Sequence, residues 1–151
     1  MTPTVKLAVQ IILALLVIVG VPLLLFGSCQ ARLIYYPRPY PPGAVTQWQR
    51  ETAGKVVDFS TSQGKQRAFL QGNLGSPRNL WIVCGGNATI ALEWSEWLRD
   101  HAPPQDAWLL VDYPGYGDCE GKPGPESIRE NLRTVVPHAC RELGWSGKPD
   151  G

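Results

Sequence analysis

The stretch N-L-W-I-V-C at residues 79–84, followed at once by Gly85 and Gly86, sets the fold class of this 151-residue chain. A short, continuously apolar run is typical of a strand that is buried on both faces of a parallel sheet. The run A-W-L-L-V at 107–111 has the same character. Two such strands separated by a helical segment predict a parallel pair joined by a right-handed crossover, and therefore an α/β fold.

A helix is predicted between these two strands, at 90–101. Its apolar positions recur every three or four residues, which is the period of one helix face. The members of this stripe are Ile90, Trp94, Trp97, Leu98 and His101. Two prolines follow directly, and they end the helix because the residue before a proline is disfavoured in the helical conformation.

The residues before and after this unit extend the sheet and add a second helix. Segments 55–61 and 66–71, separated by a glycine-containing turn, predict an antiparallel hairpin. An apolar stripe over 128–143 predicts a helix that stops at Gly144, with a kink or an early end at Pro137. Because these elements form only half of an α/β sheet, the last helix is expected to face nothing.

An N-terminal membrane anchor is predicted at 5–28. Residues 7–26 carry no charge, and about 20 apolar residues suffice for a helix to cross the hydrocarbon of a bilayer. A cleaved signal peptide is the rival interpretation, although its apolar core is usually only about 7–15 residues long. A third interpretation is a lipoprotein cleavage site at Cys29, which follows small residues.

The side of the membrane on which the body lies is open. Arg32 and Arg38 outnumber Lys6 on the other side of the span, which nominally favours a cytoplasmic body. The margin is small and many N-terminal anchors export the domain attached to them, so export is the expectation.

Residues 29–50 are predicted to be a Tyr/Pro-rich juxtamembrane spacer, and residues 51–151 a partial α/β domain. Within the spacer, 31–36 is expected to be a short strand or an interfacial segment, with Tyr35 and Tyr36 at the headgroup level. Four prolines between 37 and 42 then disfavour a helix and favour an extended chain.

Composition excludes several classes of protein. Fourteen Lys and Arg against 13 Asp and Glu leave no basic excess, which argues against a nucleic-acid binder. An apolar fraction of 44% is too high for a disordered chain, and four cysteines are too few for a disulfide scaffold. The dinucleotide and Walker patterns are absent, and His101 and His138 lack neighbours at metal-ligand spacing. No cofactor and no metal are therefore expected.

Two loops, 85–89 and 112–121, are expected at the carboxyl ends of the parallel strands, where α/β sheets bind ligands. Backbone N–H groups in the first, glycine-rich loop can form an oxyanion hole, which stabilises negative charge on a carbonyl oxygen. A phosphate site or a plain tight turn is the alternative. Asp112, which opens the second loop, is interpreted as a loop cap rather than as a catalytic carboxylate.

The cysteines of the body are not predicted to be nucleophiles. Cys84 and Cys140 are expected to be core thiols. Cys119 is expected in an exposed loop, and the sequence supplies no base beside it to activate the thiol.

Two motifs resemble the α/β-hydrolase superfamily, most closely its membrane-anchored abhydrolase-domain serine hydrolases. They are I-V-C-G-G-N-A at 82–88 and L-L-V-D-Y-P-G-Y-G-D-C-E-G-K-P at 109–123, and L-I-Y-Y-P at 33–37 matches the segment that follows the family's anchor. The family has H-G-N-A in the first motif and D-Y-R-G-Y-G-x-S in the second. Gly85 therefore replaces a His, Pro114 an Arg and Cys119 a Ser.

The resemblance implies the N-terminal half of an α/β-hydrolase sheet after one transmembrane helix. It implies that Asn87 supplies a backbone N–H to the oxyanion hole and that Gly86 sets the geometry of the loop. The family's nucleophile lies on a G-x-S-x-G turn after the next strand. The stretch 144–148 departs from that spacing and follows a helix, so Ser146 is not interpreted as a nucleophile.

Three functions are consistent with this resemblance. The first is the N-terminal part of a membrane-anchored serine hydrolase of ester, thioester or amide bonds, which lacks nucleophile, acid and His and is inactive alone. The second is a non-catalytic, membrane-tethered remnant or interaction module that needs a partner chain. The third is a chain that pairs with a second polypeptide carrying the missing C-terminal half. The expected partners are the lipid bilayer and an acyl or other small-molecule substrate, and no nucleic acid.

Overall fold

The computed structural model describes residues 3–145, except for the side chains of 26–32. The chain divides between Tyr35 and Tyr36 into two compact units. The first unit is helical, and the second contains a four-stranded sheet with helices. The chain is thus an α/β protein with an N-terminal apolar helix, as predicted.

The first unit is the helix α1, Pro3–Ile34. Its stretch Pro3–Leu25 is long and apolar enough to cross a membrane, a test that a signal sequence also passes. The strand proposed for 31–36 is wrong, because α1 continues through this segment to Ile34. Residues 30–33 are Gln, Ala, Arg and Leu, which are strong helix formers, and the first proline that would stop the helix is Pro37.

The sheet of the second unit has the strand order β1-β2-β4-β3. Its strands are β1 Lys55–Thr61, β2 Gly64–Gly72, β3 Leu80–Cys84 and β4 Ala107–Val111. Strands β1 and β2 form the predicted antiparallel hairpin, and β3 and β4 form the predicted parallel pair. Strand β4 also pairs antiparallel with β2, so the sheet is mixed.

Four helical segments surround this sheet. They are α2 Ala44–Thr52, a short 3-10 helix Ala91–Glu93, α3 Trp94–His101 and α4 Pro125–Glu142. Helix α2 was not predicted from the sequence. It is fixed by Trp48, which is buried, packs edge-to-face on Phe69 and donates its indole N–H to Gln71.

Strand β4 is buried on both faces, as its continuous apolar sequence requires, and β2 is buried on both faces over residues 68–71. One face carries Leu70 and Leu109 in a core with helix α4. The other face carries Phe69 and Leu110 in a core with Trp48 and the residues around α3. The expectation that α4 faces nothing is wrong, because its apolar stripe covers the hairpin side of the first face.

Strand β3 lies at the edge of the sheet, and the prediction that it is buried on both faces is wrong. Trp81 is 51% exposed and Ile82 is 45% exposed. The reason is position, because within residues 3–145 only β4 pairs with β3. An apolar edge strand with unpaired backbone groups is a template for pairing with another strand.

The stripe predicted on helix α3 is only partly buried. Leu98 is buried, whereas Trp94 and Trp97 are exposed. Ser95 takes the buried position that a tryptophan was expected to hold, and its hydroxyl bonds Gln71. The exposed Trp97 instead stacks on His101.

Helix α4 runs through Pro137 to Glu142, so an early end at this proline is not found. Pro137 lies on the exposed face, where the carbonyl that loses its helical N–H donor can be hydrated. The predicted stop at Gly144 is confirmed. Gly144 has φ +71° and donates to Arg141, while Trp145 donates to Cys140, which together form a Schellman motif.

Candidate functional site

The two predicted loops lie together at the carboxyl end of the parallel pair. Cys84, the last residue of β3, is in register with Val111, the last residue of β4. The loop 85–90 leaves the first strand and the loop 112–124 leaves the second. Gly86 and Asn87 are exposed at this edge, so the candidate site residues lie where a ligand would reach them.

The carbonyl groups of four successive residues, 85–88, are all hydrogen-bonded within the body. Gly85 accepts from the Tyr113 hydroxyl at 3.0 Å, and Gly86 accepts from the Thr89 N–H at 3.4 Å. Asn87 accepts twice, from the Tyr36 N–H at 2.9 Å and from the Tyr116 hydroxyl at 2.5 Å. The Ala88 carbonyl accepts from Arg38 Nε at 2.9 Å.

The N–H groups of the same loop are in the opposite situation. Within residues 3–145, the backbone N–H groups of Gly86, Asn87 and Ala88 donate to no acceptor. The described peptide bonds are trans, so the C=O and N–H of each peptide point in opposite directions. With the carbonyls held by the body, the N–H groups are left for a ligand. The loop can therefore bind a negatively charged or partly charged oxygen.

The steric need for glycine in this loop falls on Gly85. A Cβ built on Gly85 would lie 2.9 Å from the carbonyl oxygen of Thr89. A Cβ on Gly86 would meet only Thr89 Oγ1, at 3.6 Å, which is ordinary contact. Gly85 is thus required by close packing of the loop, and the role of Gly86 in the loop geometry stays a prediction.

Asp112 caps the 3-10 helix that follows the loop, which confirms its structural interpretation. Its carboxylate is buried and accepts from the Ala91 N–H at 2.7 Å and from the Tyr40 hydroxyl at 2.5 Å. Its carbonyl accepts from Asn131 Nδ2 at 2.8 Å. Burial raises the pKa of Asp112 to about 6, although both donors oppose that rise by stabilising the charged form.

The cysteine predictions are reversed at two positions. Cys84 is exposed, because it belongs to the edge strand, and Cys119 is buried, because its loop folds back onto β2. The Cys119 sulfur lies 3.3 Å from the backbone N and 3.4 Å from the backbone O of Arg67. Burial raises the pKa of Cys119 to about 12, so this thiol is protonated at neutral pH. Cys140 is buried as expected.

The remaining candidates do not form a site. His101 and His138 each use Nδ1 to contact the backbone carbonyl four residues earlier, which is a structural role. In the described part of the chain, no three His, Cys, Asp or Glu side chains are grouped to hold a metal ion. The side chain of Cys29 and all of Ser146 lie outside the described residues.

Sequence reasoning missed four residues that hold the loop: Tyr36, Arg38, Tyr113 and Tyr116. The three tyrosines occur inside the quoted motifs, so the motif match included them without giving them a role in the loop. Their contacts join positions 28 to 80 residues apart in the chain. No local pattern contains such pairings.

Comparison with known proteins gives a structural relation but no sequence family. No family model matches the sequence, and no curated protein matches it significantly. The solved structure of AbyA5 Wildtype superposes with a TM-score of 0.52 at 22% identity, over 71% of this chain and 34% of that chain. The chain therefore spans about a third of the length of that structure. At this identity the likeness shows a shared fold and nothing about activity.

Proposed function

We propose that this chain is the N-terminal half of a membrane-anchored α/β-hydrolase, a serine hydrolase that cleaves an ester, thioester or amide bond. The observation that carries the proposal is the loop after β3. In the hydrolase fold, one N–H of the oxyanion hole comes from the loop between the third strand and the following helix. Here that loop contains Asn87, with an N–H that has no acceptor within residues 3–145.

The chemistry of this chain is the stabilisation of charge. In acyl transfer, a serine hydroxyl attacks the substrate's carbonyl carbon, and the π electron pair moves onto the oxygen. The Asn87 N–H donates to that oxyanion, and it costs little reorganisation because the loop is already formed. The nucleophile, its acid and its His, and the second N–H donor belong to the half that would follow α4.

Helix α1 is the membrane anchor in this proposal. It supports a location at the bilayer, with export as the preferred side. The length and composition of Pro3–Leu25 support this role, and a cleaved signal sequence remains the rival.

A second candidate function is favoured by the edge of β3. The exposed Trp81 and Ile82, with the open backbone of their strand, are the features of a surface that another strand covers. A membrane-tethered module that requires a separate partner chain would carry the same edge. The two candidates differ in whether the covering strand belongs to the same polypeptide.

The first test is the intact mass of the native protein in its membrane fraction. A mass near 16.6 kDa excludes the single-chain hydrolase and favours the module. A mass about twice as large is the size of a whole single domain and favours the hydrolase. Labelling by a fluorophosphonate then decides whether an activated serine is present.

The role of Asn87 is tested by removing only its N–H. Asn87→Pro deletes the donor, and Gly86 before it has no Cβ to clash with the proline ring. The loss of one oxyanion donor lowers kcat by about 10²–10³-fold. Asn87→Ala keeps the N–H and is expected to lose far less activity. Equal losses in the two variants would contradict the backbone role.

A further inference from the structure

The extended segment 36–40, which we term the strap, runs across the oxyanion loop. Its backbone N–H at Tyr36 donates to the Asn87 carbonyl at 2.9 Å. Two residues later, Arg38 Nε donates to the Ala88 carbonyl at 2.9 Å. The strap also reaches the second loop, because the Arg38 carbonyl accepts from the Gly117 N–H at 2.9 Å. The strap therefore holds both loops of the site.

The hydroxyl of Tyr116 lies where the strap meets the oxyanion loop. It accepts from the Tyr36 N–H at 2.9 Å and donates to the Asn87 carbonyl at 2.5 Å. The side chain is fully buried, and its ring packs edge-to-face on Tyr113. Burial on all sides fixes the position of the hydroxyl, and the hydroxyl in turn restrains the Tyr36 N–H and the Asn87 carbonyl.

The direction of the Asn87 N–H depends on this contact. Within residues 3–145, the carbonyl of the same peptide, at Gly86, accepts only from the Thr89 N–H, at 3.4 Å, which is long for a hydrogen bond. The next carbonyl, at Asn87 itself, accepts from two donors, the Tyr36 N–H and the hydroxyl of the fully buried Tyr116. The Asn87 carbonyl is therefore held more firmly than the Gly86 carbonyl. Its hydrogen bonds restrain the backbone torsions of Asn87 and so the direction in which the Asn87 N–H points.

We propose that Tyr116 is a positioning residue for the oxyanion hole, acting through the strap and the Asn87 carbonyl. This inference rests on the proposed hydrolase function, in which the Asn87 N–H contacts the reacting oxygen. Tyr116 touches no substrate atom. It acts by keeping the Asn87 carbonyl turned into the body, so that the N–H is already aimed before the substrate binds. A misplacement of about 1 Å in such a site costs on the order of 10²-fold in rate.

The test is Tyr116→Phe in the full-length native protein. The change removes one oxygen and keeps the buried ring, and the Tyr36 N–H and the Asn87 carbonyl retain each other as partners. The matched control is Ser95→Ala, which also removes a buried hydroxyl, one that donates to Gln71 at 2.6 Å. Both variants lose a buried hydrogen bond, but only Tyr116→Phe loses one to the loop.

The readouts are kcat and KM for p-nitrophenyl acetate and the rate of fluorophosphonate labelling. We expect Tyr116→Phe to lower kcat and the labelling rate about ten- to a hundredfold with KM nearly unchanged, because the donor acts mainly in the transition state. We expect Ser95→Ala to keep kcat within about twofold, since it loses only stability. Peptides covering the strap should also exchange their amide hydrogens faster in Tyr116→Phe than in the control.

The outcomes separate the inference from the function on which it rests. A wild-type protein that neither hydrolyses the ester nor reacts with the fluorophosphonate overturns the proposed function, and the positioning role with it. An active wild type whose Tyr116→Phe variant keeps the kcat of the Ser95→Ala variant overturns the positioning role alone. A Tyr116→Phe variant that raises KM and leaves kcat unchanged also overturns it, because that pattern is a loss of uniform substrate binding.

Discussion

Replacing Asp112 by asparagine removes a buried carboxyl group whose pKa burial raises from 3.8 to about 6. Between these two values the folded protein holds a proton that the unfolded chain has lost. The free energy of unfolding therefore falls as the pH rises through this window, and this contribution to stability is largest at acidic pH. Asparagine does not titrate, so the Asp112→Asn variant lacks this slope.

The size of the effect is set by the two pKa values. The change in the free energy of unfolding between pH 5 and pH 7 is about 1 kcal/mol, out of a total of about 3 kcal/mol across the whole titration. Asparagine can still accept from the Ala91 N–H, as the aspartate does at 2.7 Å, so the capped turn is retained in the variant. The Tyr40 hydroxyl loses its carboxylate acceptor in the variant, which lowers the stability at both pH values. Only the slope of stability with pH therefore reports the charge of the carboxyl group.

The assay is urea denaturation of the native protein in detergent at pH 5 and pH 7, monitored by tryptophan fluorescence. Other carboxylates also titrate. Glu130 is one, and hydrogen bonds from Ser62 lower its pKa, which gives a slope of opposite sign at lower pH. Those contributions are common to both proteins and cancel in the difference between wild type and Asp112→Asn. Equal pH dependence in the two proteins would refute the reasoning.

Three further predictions concern the glycines, the thiols and the edge of the sheet. Gly117→Ala should lower the free energy of unfolding by about 2–4 kcal/mol, because φ is +56° and the new Cβ would lie 2.4 Å from the Tyr40 ring. The control Gly75→Ala, whose Cβ would lie in open space, should leave the melting temperature nearly unchanged. Equal shifts of the melting temperature in the two variants would contradict the steric account. Iodoacetamide at pH 8 should modify Cys84 well before Cys119, because only Cys84 is exposed. Peptide masses give the order of modification, and the reverse order would show that the loop 112–124 is open. Residues 30–151 expressed alone should show no cooperative thermal melt by circular dichroism, because the apolar edge is uncovered, and a sharp transition would disprove this.

The strands were predictable because a strand that is buried in the sheet needs apolar residues, and those residues are visible in the sequence. β4 lies between β2 and β3 and is buried on both faces, and its apolar run is matched residue for residue by the predicted segment 107–111. β3 is similarly apolar, yet three of its five residues are exposed and none is buried. An apolar composition predicts that a strand is suited to burial. Whether the described residues bury it depends on its place in the sheet, which is central for β4 and at the edge for β3.

Helix α2 and the buried Cys119 could not be predicted for a different reason. The helix is polar and comes directly after prolines, and its place in the core depends on Trp48 packing on Phe69. Cys119 is buried by β2, more than 50 residues earlier in the chain. In both cases a contact between residues far apart in the sequence determines the structure, and local sequence patterns cannot predict such a contact.

The sequence predicted where the candidate site lies but not how its backbone groups are arranged. Two glycines after an apolar strand located the loop, and the motif pointed to Asn87. The engagement of all four loop carbonyls depends on side chains and backbone groups from three separate segments. Only the assembled structure shows why the N–H groups, rather than the carbonyls, are available.

The strand order also constrains when the sheet can form during synthesis. β2 and β3 are consecutive in the sequence, but β4 lies between them in space. As the chain leaves the ribosome, the hairpin can close early because its contacts are local, whereas β3 has no partner until residue 111 has emerged. For that interval an apolar strand with an exposed tryptophan has no neighbouring strand, so this is the stage at which a chaperone would be needed.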